Sequence, residues 1–293
     1  MAPVVTMNVP KALESYSSML AINGTRVHYY DAGSLTAPAM ILIHGLGDEA
    51  DTWQHIIPAL AERYRVIAVD LPGFGRSEQT RRSYTTGFFA NIIAGMFAEL
   101  NIDKAIVVGS SMGAMVAQRL AMARPDLVKQ LVLIGGGISQ GKQAMNLGTL
   151  LFLIPGVGEI FYSTLRASQD KAYETLRPYY YQLDKLPEAQ RQFLRERVWA
   201  RVWSAGQRRG FLSTLRWLAI DTSTRMPQFI ARLSKLNIPT ILVWGEYDAI
   251  QPLSNAQSML TFLPNARLVI LPDTGHLPQQ ETPEAIIDLL LGL

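Results

Sequence analysis

The stretch IVVGSSMGAMVA, residues 106–117, decides how this chain is read. A run of β-branched residues enters Gly109-Ser110-Ser111-Met112-Gly113, and a helix-like apolar pattern leaves it. A strand that turns into a helix through Gly-x-Ser-x-Gly forces the central residue into a strained turn. The flanking positions must be glycine because the two backbones pass too closely for a Cβ. Only Ser111 has a glycine two residues away on both sides, so the frame selects Ser111 as a nucleophile and leaves Ser110 to fill the turn. The N–H of Met112 then lies at a helix start, where it can donate to a developing oxyanion. The plainer alternative is that Ser111 only caps a helix.

Outward from this stretch, short apolar runs at 39–43, 64–69, 104–109, 129–134, 240–245 and 267–271 alternate with helical patterns at about 52–62, 84–99, 112–123, 252–262 and 281–291. That alternation predicts an α/β fold: a mostly parallel sheet flanked by helices. Before it, YSSMLAIN and TRVHYYDAG meet at Asn23-Gly24, a pair suited to the positive φ angles of a tight antiparallel hairpin. The alternation lapses from Gly135 to about Arg225, a stretch too long for a loop and rich in Tyr, Trp and Arg, so an inserted helical cap is expected there. The expected boundaries are 1–136 for the first part of the core, 137–225 for the cap and 226–293 for the second part. The cap carries 13 Lys/Arg against 7 Asp/Glu, although the whole chain is only +3.

Composition narrows the possible functions. Hydrophobic residues make up 48% of the 293 and charged residues 17%, as in a globular protein with a substantial core. Proline, glycine and Glu159 interrupt the most apolar segment, LGTLLFLIPGVGEIF at 147–161, so stable membrane insertion is not expected. The absence of cysteine excludes disulfides, thiolate metal sites and cysteine nucleophiles. No basic, aromatic-interleaved groove points to nucleic acid. The start of the chain carries no basic segment followed by an apolar block, which gives a cytoplasmic location by default.

A serine nucleophile needs a base, and the chain has four histidines. His28 in the hairpin and His55 in a polar surround read as structural. His44 opens HGLGDEADTW directly after a strand and is expected to order that loop, leaving the N–H of Leu46 as a second oxyanion donor. His276 follows the last strand and precedes the last helix, where it can swing over the sheet edge as the base. The acid that orients it is read as Asp248, just past the strand at 240–245, with Asp221 as the alternative. Asp70 in DLPGFGRS lies at a strand end but is better explained by local backbone hydrogen bonds in a Pro-Gly-x-Gly turn.

The order Ser111, Asp248, His276, each at a strand's C-terminal end, together with HGLGD, VDLPGFGRS, GSSMG, GEYDAIQP and GHLPQQETPE, resembles the α/β-hydrolase superfamily over nearly the whole chain. The resemblance implies a serine hydrolase that needs no metal or cofactor, acts on small carboxylic esters of short to medium chain, and carries a cap that helps select substrate. Trp53, Phe74 and Ser110 are expected to line the substrate pocket. Ser110 and Ala114 stand where relatives often have His and Gly. Leu277 follows the histidine where relatives that cleave carbon–carbon bonds usually carry Trp, and Leu46 stands where perhydrolases tend to have Trp. A serine nucleophile argues against the dehalogenase and epoxide-hydrolase relatives, which use aspartate. A carbon–carbon hydrolase, an acyltransferase and a ligand-binding receptor of the same fold remain as alternatives.

Overall fold

A computed structural model describes residues 7–140 and 147–293. Part of the reading of the chain's start, and residues 141–146 of the expected cap, lie outside the described residues. Strands β1 (Ser17–Ile22), β2 (Thr25–Ala32), β3 (Ala39–Ile43), β4 (Arg65–Val69), β5 (Ala105–Ser110), β6 (Val128–Ile134), β7 (Thr240–Gly245) and β8 (Ala266–Leu271) form one sheet in the order β1-β2-β4-β3-β5-β6-β7-β8. The β1–β2 hairpin turns at Asn23 and Gly24, with φ of 49° and 76°, and β2 pairs antiparallel with β4. From β4 to β8 every pairing is parallel.

The inner parallel strands are mostly apolar because both sheet faces are covered. Ile41, Ile67, Val107, Leu133 and Leu242 point into one core, and their neighbours Met40, Val66, Ile106, Val132 and Ile241 into the other. Helices α1 (Thr86–Glu99) and α2 (Met112–Ala123) cover the first face. Thr85 caps α1 by accepting from the N–H of Phe88 at 3.0 Å. The helix expected over 52–62 is instead a 3₁₀ turn at Ala50–Trp53 and one short turn at Ile57–Leu60. The apolar spacing of Ile56, Ile57 and Leu60 mimics a helix, but the chain here is shaped by tertiary bonds from Tyr30 to Asp51 and from Gln279 to Thr52.

Between β6 and β7 the chain forms α3 (Leu147–Leu153), α4 (Val157–Ser163), α5 (Gln169–Glu174), α6 (Glu188–Trp203), α7 (Ala205–Thr224) and α8 (Met226–Leu233). Tyr162, Tyr173, Tyr180, Leu194, Val198 and Val202 gather there into an apolar cluster of their own. Phe229 and Leu233 of α8 join the sheet's core. After β7 come α9 (Leu253–Leu260) and, after β8, α10 (Pro283–Leu291), whose Ile286 and Leu290 cover the second face. Among the described residues no helix is long and apolar enough to cross a membrane.

Asp70, at the end of β4, is wholly buried. Its carboxylate accepts from the backbone N–H of Ala50 (2.6 Å) and Arg76 (2.9 Å) and from His28 Nδ1 (2.8 Å). Burial opposes its ionisation, but the hydrogen bond and charge of His28, the charge of Arg76 and the Ala50 N–H outweigh it and hold the carboxyl well below the usual carboxylate range. A depressed folded-state pKa adds stability above the unfolded value that is lost as pH falls towards the folded one. Asp70→Asn should therefore lower stability by roughly 3–5 kcal/mol near neutral pH, because buried charges lose their partner. In urea melts the gap between wild type and variant should narrow as pH drops below about 4. A gap that stays constant with pH would contradict this account.

Candidate active site

Ser111 joins β5 to α2 with φ 53° and ψ −115°, a conformation disfavoured for any side-chain-bearing residue. The surrounding glycines make it possible. A Cβ on Gly109 would lie 2.3 Å from the carbonyl oxygen of Gly113, and one on Gly113 would lie 2.2 Å from that of Ile43. The turn lifts the Ser111 hydroxyl above the C-terminal edge of the sheet.

Three side chains meet there. His276 Nε2 lies 2.9 Å from Ser111 Oγ, and His276 Nδ1 lies 2.8 Å from Asp248 Oδ2. A carboxylate only accepts, so Nδ1 carries the hydrogen, and in the neutral imidazole Nε2 is left as an acceptor facing the hydroxyl. The side chains of His276 and Asp248 are each 1% exposed. The other Asp248 oxygen, Oδ1, accepts from the N–H groups of Ile250 (2.9 Å) and Gln251 (2.8 Å), which fixes the carboxylate plane. The His276 N–H donates to the carbonyl of Tyr179 at 2.9 Å, so the inserted helices hold the histidine loop. Such a chain can pass a proton from hydroxyl to imidazole and keep the resulting cation paired.

The loop after β3 crosses directly over the serine, since a Cβ on Gly45 would lie 3.3 Å from Ser111 Cβ. His44 orders that loop from below. It accepts from the N–H of Leu71 at Nε2 (3.0 Å), so its hydrogen sits on Nδ1 and is donated to the Gly45 carbonyl (2.7 Å). Burial pushes its pKa down and keeps this neutral form. Leu46 and Met112 line the same cavity as Ser111. Met112 is the first residue of α2, so its N–H has no partner within the helix.

The cavity has a volume of about 330 Å³. Its wall is largely apolar, drawing on Met115, Phe152, Leu153, Phe211, Leu215 and Leu218 among others, and no charged side chain lines it among the described residues. The expected pocket residues Trp53, Phe74 and Ser110 are corrected here, because none of them reaches it. Trp53 is fully buried with Ile56 and Leu60 on the opposite face of the sheet. Phe74 is fully buried edge-on to His44, with ring centroids 5.7 Å apart, and braces that imidazole. Ser110 points below the site, where its hydroxyl accepts from Gln279 at 3.2 Å. Asp221, the alternative acid, lies apart from His276 and bonds Thr86 and Arg225 instead.

Residues without a local sequence signal complete the surroundings. The Glu281 carboxylate holds the N–H groups of Gly275 (2.9 Å) and Tyr181 (2.7 Å), and its pKa is raised by burial. Arg201 of α6 reaches across to Asp48 and Glu49 in the loop over Ser111. Nothing near these positions in the sequence points to such contacts. Among the described residues there is no cluster of His, Asp and Glu able to hold a metal ion.

The geometry can be set beside known proteins. A family model described as the alpha/beta hydrolase fold matches residues 38–283. An uncharacterised protein of Mycobacterium tuberculosis is 30% identical over 289 residues, spanning 92% of this chain and 78% of its own. The 2-hydroxy-6-oxononadienedioate/2-hydroxy-6-oxononatrienedioate hydrolase 2 of Pseudomonas putida is 27% identical over 271 residues, spanning 91% and 90%. A crystal structure of a membrane phospholipase A, described as a bacterial virulence factor, superposes with a TM-score of 0.73 at 25% identity over 94% of this chain and 84% of its own. With a sheet, an inserted helical segment and a family match of this extent, the chain belongs to the α/β-hydrolase fold family.

Proposed function

We propose that this hydrolase cleaves carboxylic esters with apolar acyl groups of short to medium chain, by way of an acyl-enzyme on Ser111. His276 takes the proton of Ser111 as its oxygen attacks the ester carbonyl, and Asp248 holds the imidazole in the tautomer that accepts it. The N–H groups of Leu46 and Met112 stabilise the oxyanion of the tetrahedral intermediate. Collapse breaks the bond to the alcohol, which leaves with the proton from His276. Water then attacks the acyl-enzyme with the same base, and Ser111 is released. In this reading residues 137–225 act as a cap over the site, and substrate specificity resides in their inward faces.

The single observation that carries the ester reading is the mainly apolar wall around Ser111, in which no charged side chain stands among the described residues. The dioate named for the Pseudomonas putida relative bears two carboxylates, and a carboxylate against such a wall loses hydration with no cation among the described residues to pair it. The volume falls at the small end of ligand pockets, which suits short to medium acyl chains. The relative named a phospholipase A also supports ester chemistry. Hydrolysis of the carbon–carbon bond of a dienedioate is the second reading, favoured by the likeness to the Pseudomonas putida enzyme.

The test is steady-state hydrolysis of p-nitrophenyl esters from acetate to palmitate beside consumption of the dienedioate. Turnover of esters with a chain-length optimum supports the proposal. Consumption of the dienedioate with no ester turnover overturns it. Leu215→Trp, which fills the cavity, should lower kcat/KM for the longest accepted ester by at least about tenfold and leave acetate within about twofold. An unchanged profile would mean that the acyl chain lies elsewhere.

A further inference from the structure

The loop over Ser111 is fixed at two points. His44 holds its start from within the core, and Arg201, on the inserted helix α6, holds its far side. Arg201 Nη2 lies 2.7 Å from Asp48 Oδ1 and 2.8 Å from Glu49 Oε1, and its Nε donates to Glu49 Oε2 at 2.8 Å. The three side chains are 13%, 13% and 1% exposed. Behind them Arg197 pairs with Asp51 at 2.9 Å. Between Leu46 and Asp48 stands Gly47, whose φ of 73° is the left-handed conformation that favours glycine.

A buried acid, Glu49, next to a half-buried one, Asp48, is costly unless a cation faces them. Burial raises the pKa of Glu49, and Arg201 works against that rise. Asp48 is two residues from Leu46, so a displacement of the acids is expected to carry the Leu46 N–H with it. Groups that must meet a transition-state atom tolerate little displacement.

We infer that Arg201 is a positioning residue for catalysis: a guanidinium supplied by the inserted helices that, through Asp48 and Glu49, sets the Leu46 N–H over Ser111. The inference rests on the ester-hydrolase reading for the identity of the reaction. It adds that the inserted segment does more than shape the cavity, because it completes the oxyanion site from outside it. Arg201 touches no substrate in this scheme.

The test compares Arg201→Met, Arg201→Lys and wild type in the full chain. It reads kcat and KM on p-nitrophenyl butyrate and the rate at which an alkyl fluorophosphonate labels Ser111, all per folded molecule. Labelling needs the same oxyanion donors but no ester turnover, so it tests Arg201 even if the ester reading fails. Arg201→Met should lose about 100-fold in kcat and in labelling rate with KM within about threefold, the loss expected when an oxyanion donor is misplaced. Arg201→Lys should recover part of both. A merely structural arginine would reduce the folded fraction and leave both rates per folded molecule unchanged, and that result overturns the inference. If Arg201→Met does not fold, Asp48→Asn, Glu49→Gln and Arg201→Met are combined, which removes the charges together. Wild-type rates in that neutral variant likewise overturn it, and a loss like that expected for Arg201→Met supports it.

Discussion

Replacing Ser111 with alanine is expected to lower kcat on p-nitrophenyl butyrate by about 10⁶-fold, to the level left by binding and oxyanion contacts alone. The attacking oxygen is gone, and the adjacent Ser110 hydroxyl is not placed to replace it. Ser110 Oγ is the nearest in sequence, but it is buried beneath the site against Gln279. His276→Ala should cost about as much, and the double variant little more, because the two groups act in one step. Folding should be preserved or improved in Ser111→Ala, since a methyl side chain keeps the backbone and loses only the bond to His276. Near-wild-type turnover in Ser111→Ala would mean a different nucleophile. Equal and independent losses that multiply in the double variant would mean that His276 is not its base.

Asp248→Asn should leave the fold intact and lower kcat by about 10⁴-fold. The geometry determines which way the amide faces. Oδ1 accepts from two N–H groups, those of Ile250 and Gln251, so the asparagine must keep its oxygen there and present its NH₂ at the position of Oδ2. That NH₂ faces His276 Nδ1 and donates to it. The imidazole then carries its hydrogen on Nε2, pointing at Ser111, and can no longer accept the hydroxyl proton at neutral pH. Asp248→Ala, which imposes no wrong tautomer, tests the mechanism by comparison. If asparagine is no worse than alanine, the tautomer account is wrong.

The sheet was legible because each parallel strand centres on a short apolar run and begins and ends within a residue or two of it. Ser111, Asp248 and His276 were legible because each follows such a run and sits in a turn with its own local signature. The aromatic residues near those turns were not. Trp53 and Phe74 stand in loops that border the site, and the direction an irregular loop turns its side chain is set by tertiary packing, which leaves no period to read. Arg201 was hidden for a related reason. Its partners lie in a loop far away in the chain, and an arginine on an amphipathic helix reads first as solvent-facing. The short turns at 50–60 show the reverse error, where helical spacing of apolar residues met contacts that pulled the chain into another shape.

The pairing of β6 with β7, Leu131 with Thr240 through Ile134 with Val243, closes over the whole inserted segment. A ribosome therefore delivers Ser111 and the loop above it well before it delivers Asp248 and His276. Until β7 emerges, β6 is an open edge of apolar residues able to pair with another chain. Native pairing across so long a span forms late and slowly. The nascent chain thus passes through an interval in which Ser111 stands without His276 and β6 has only β5 beside it, so the same connection that supplies Arg201 and part of the cavity wall also leaves a strand edge open to aggregation while the protein is being made.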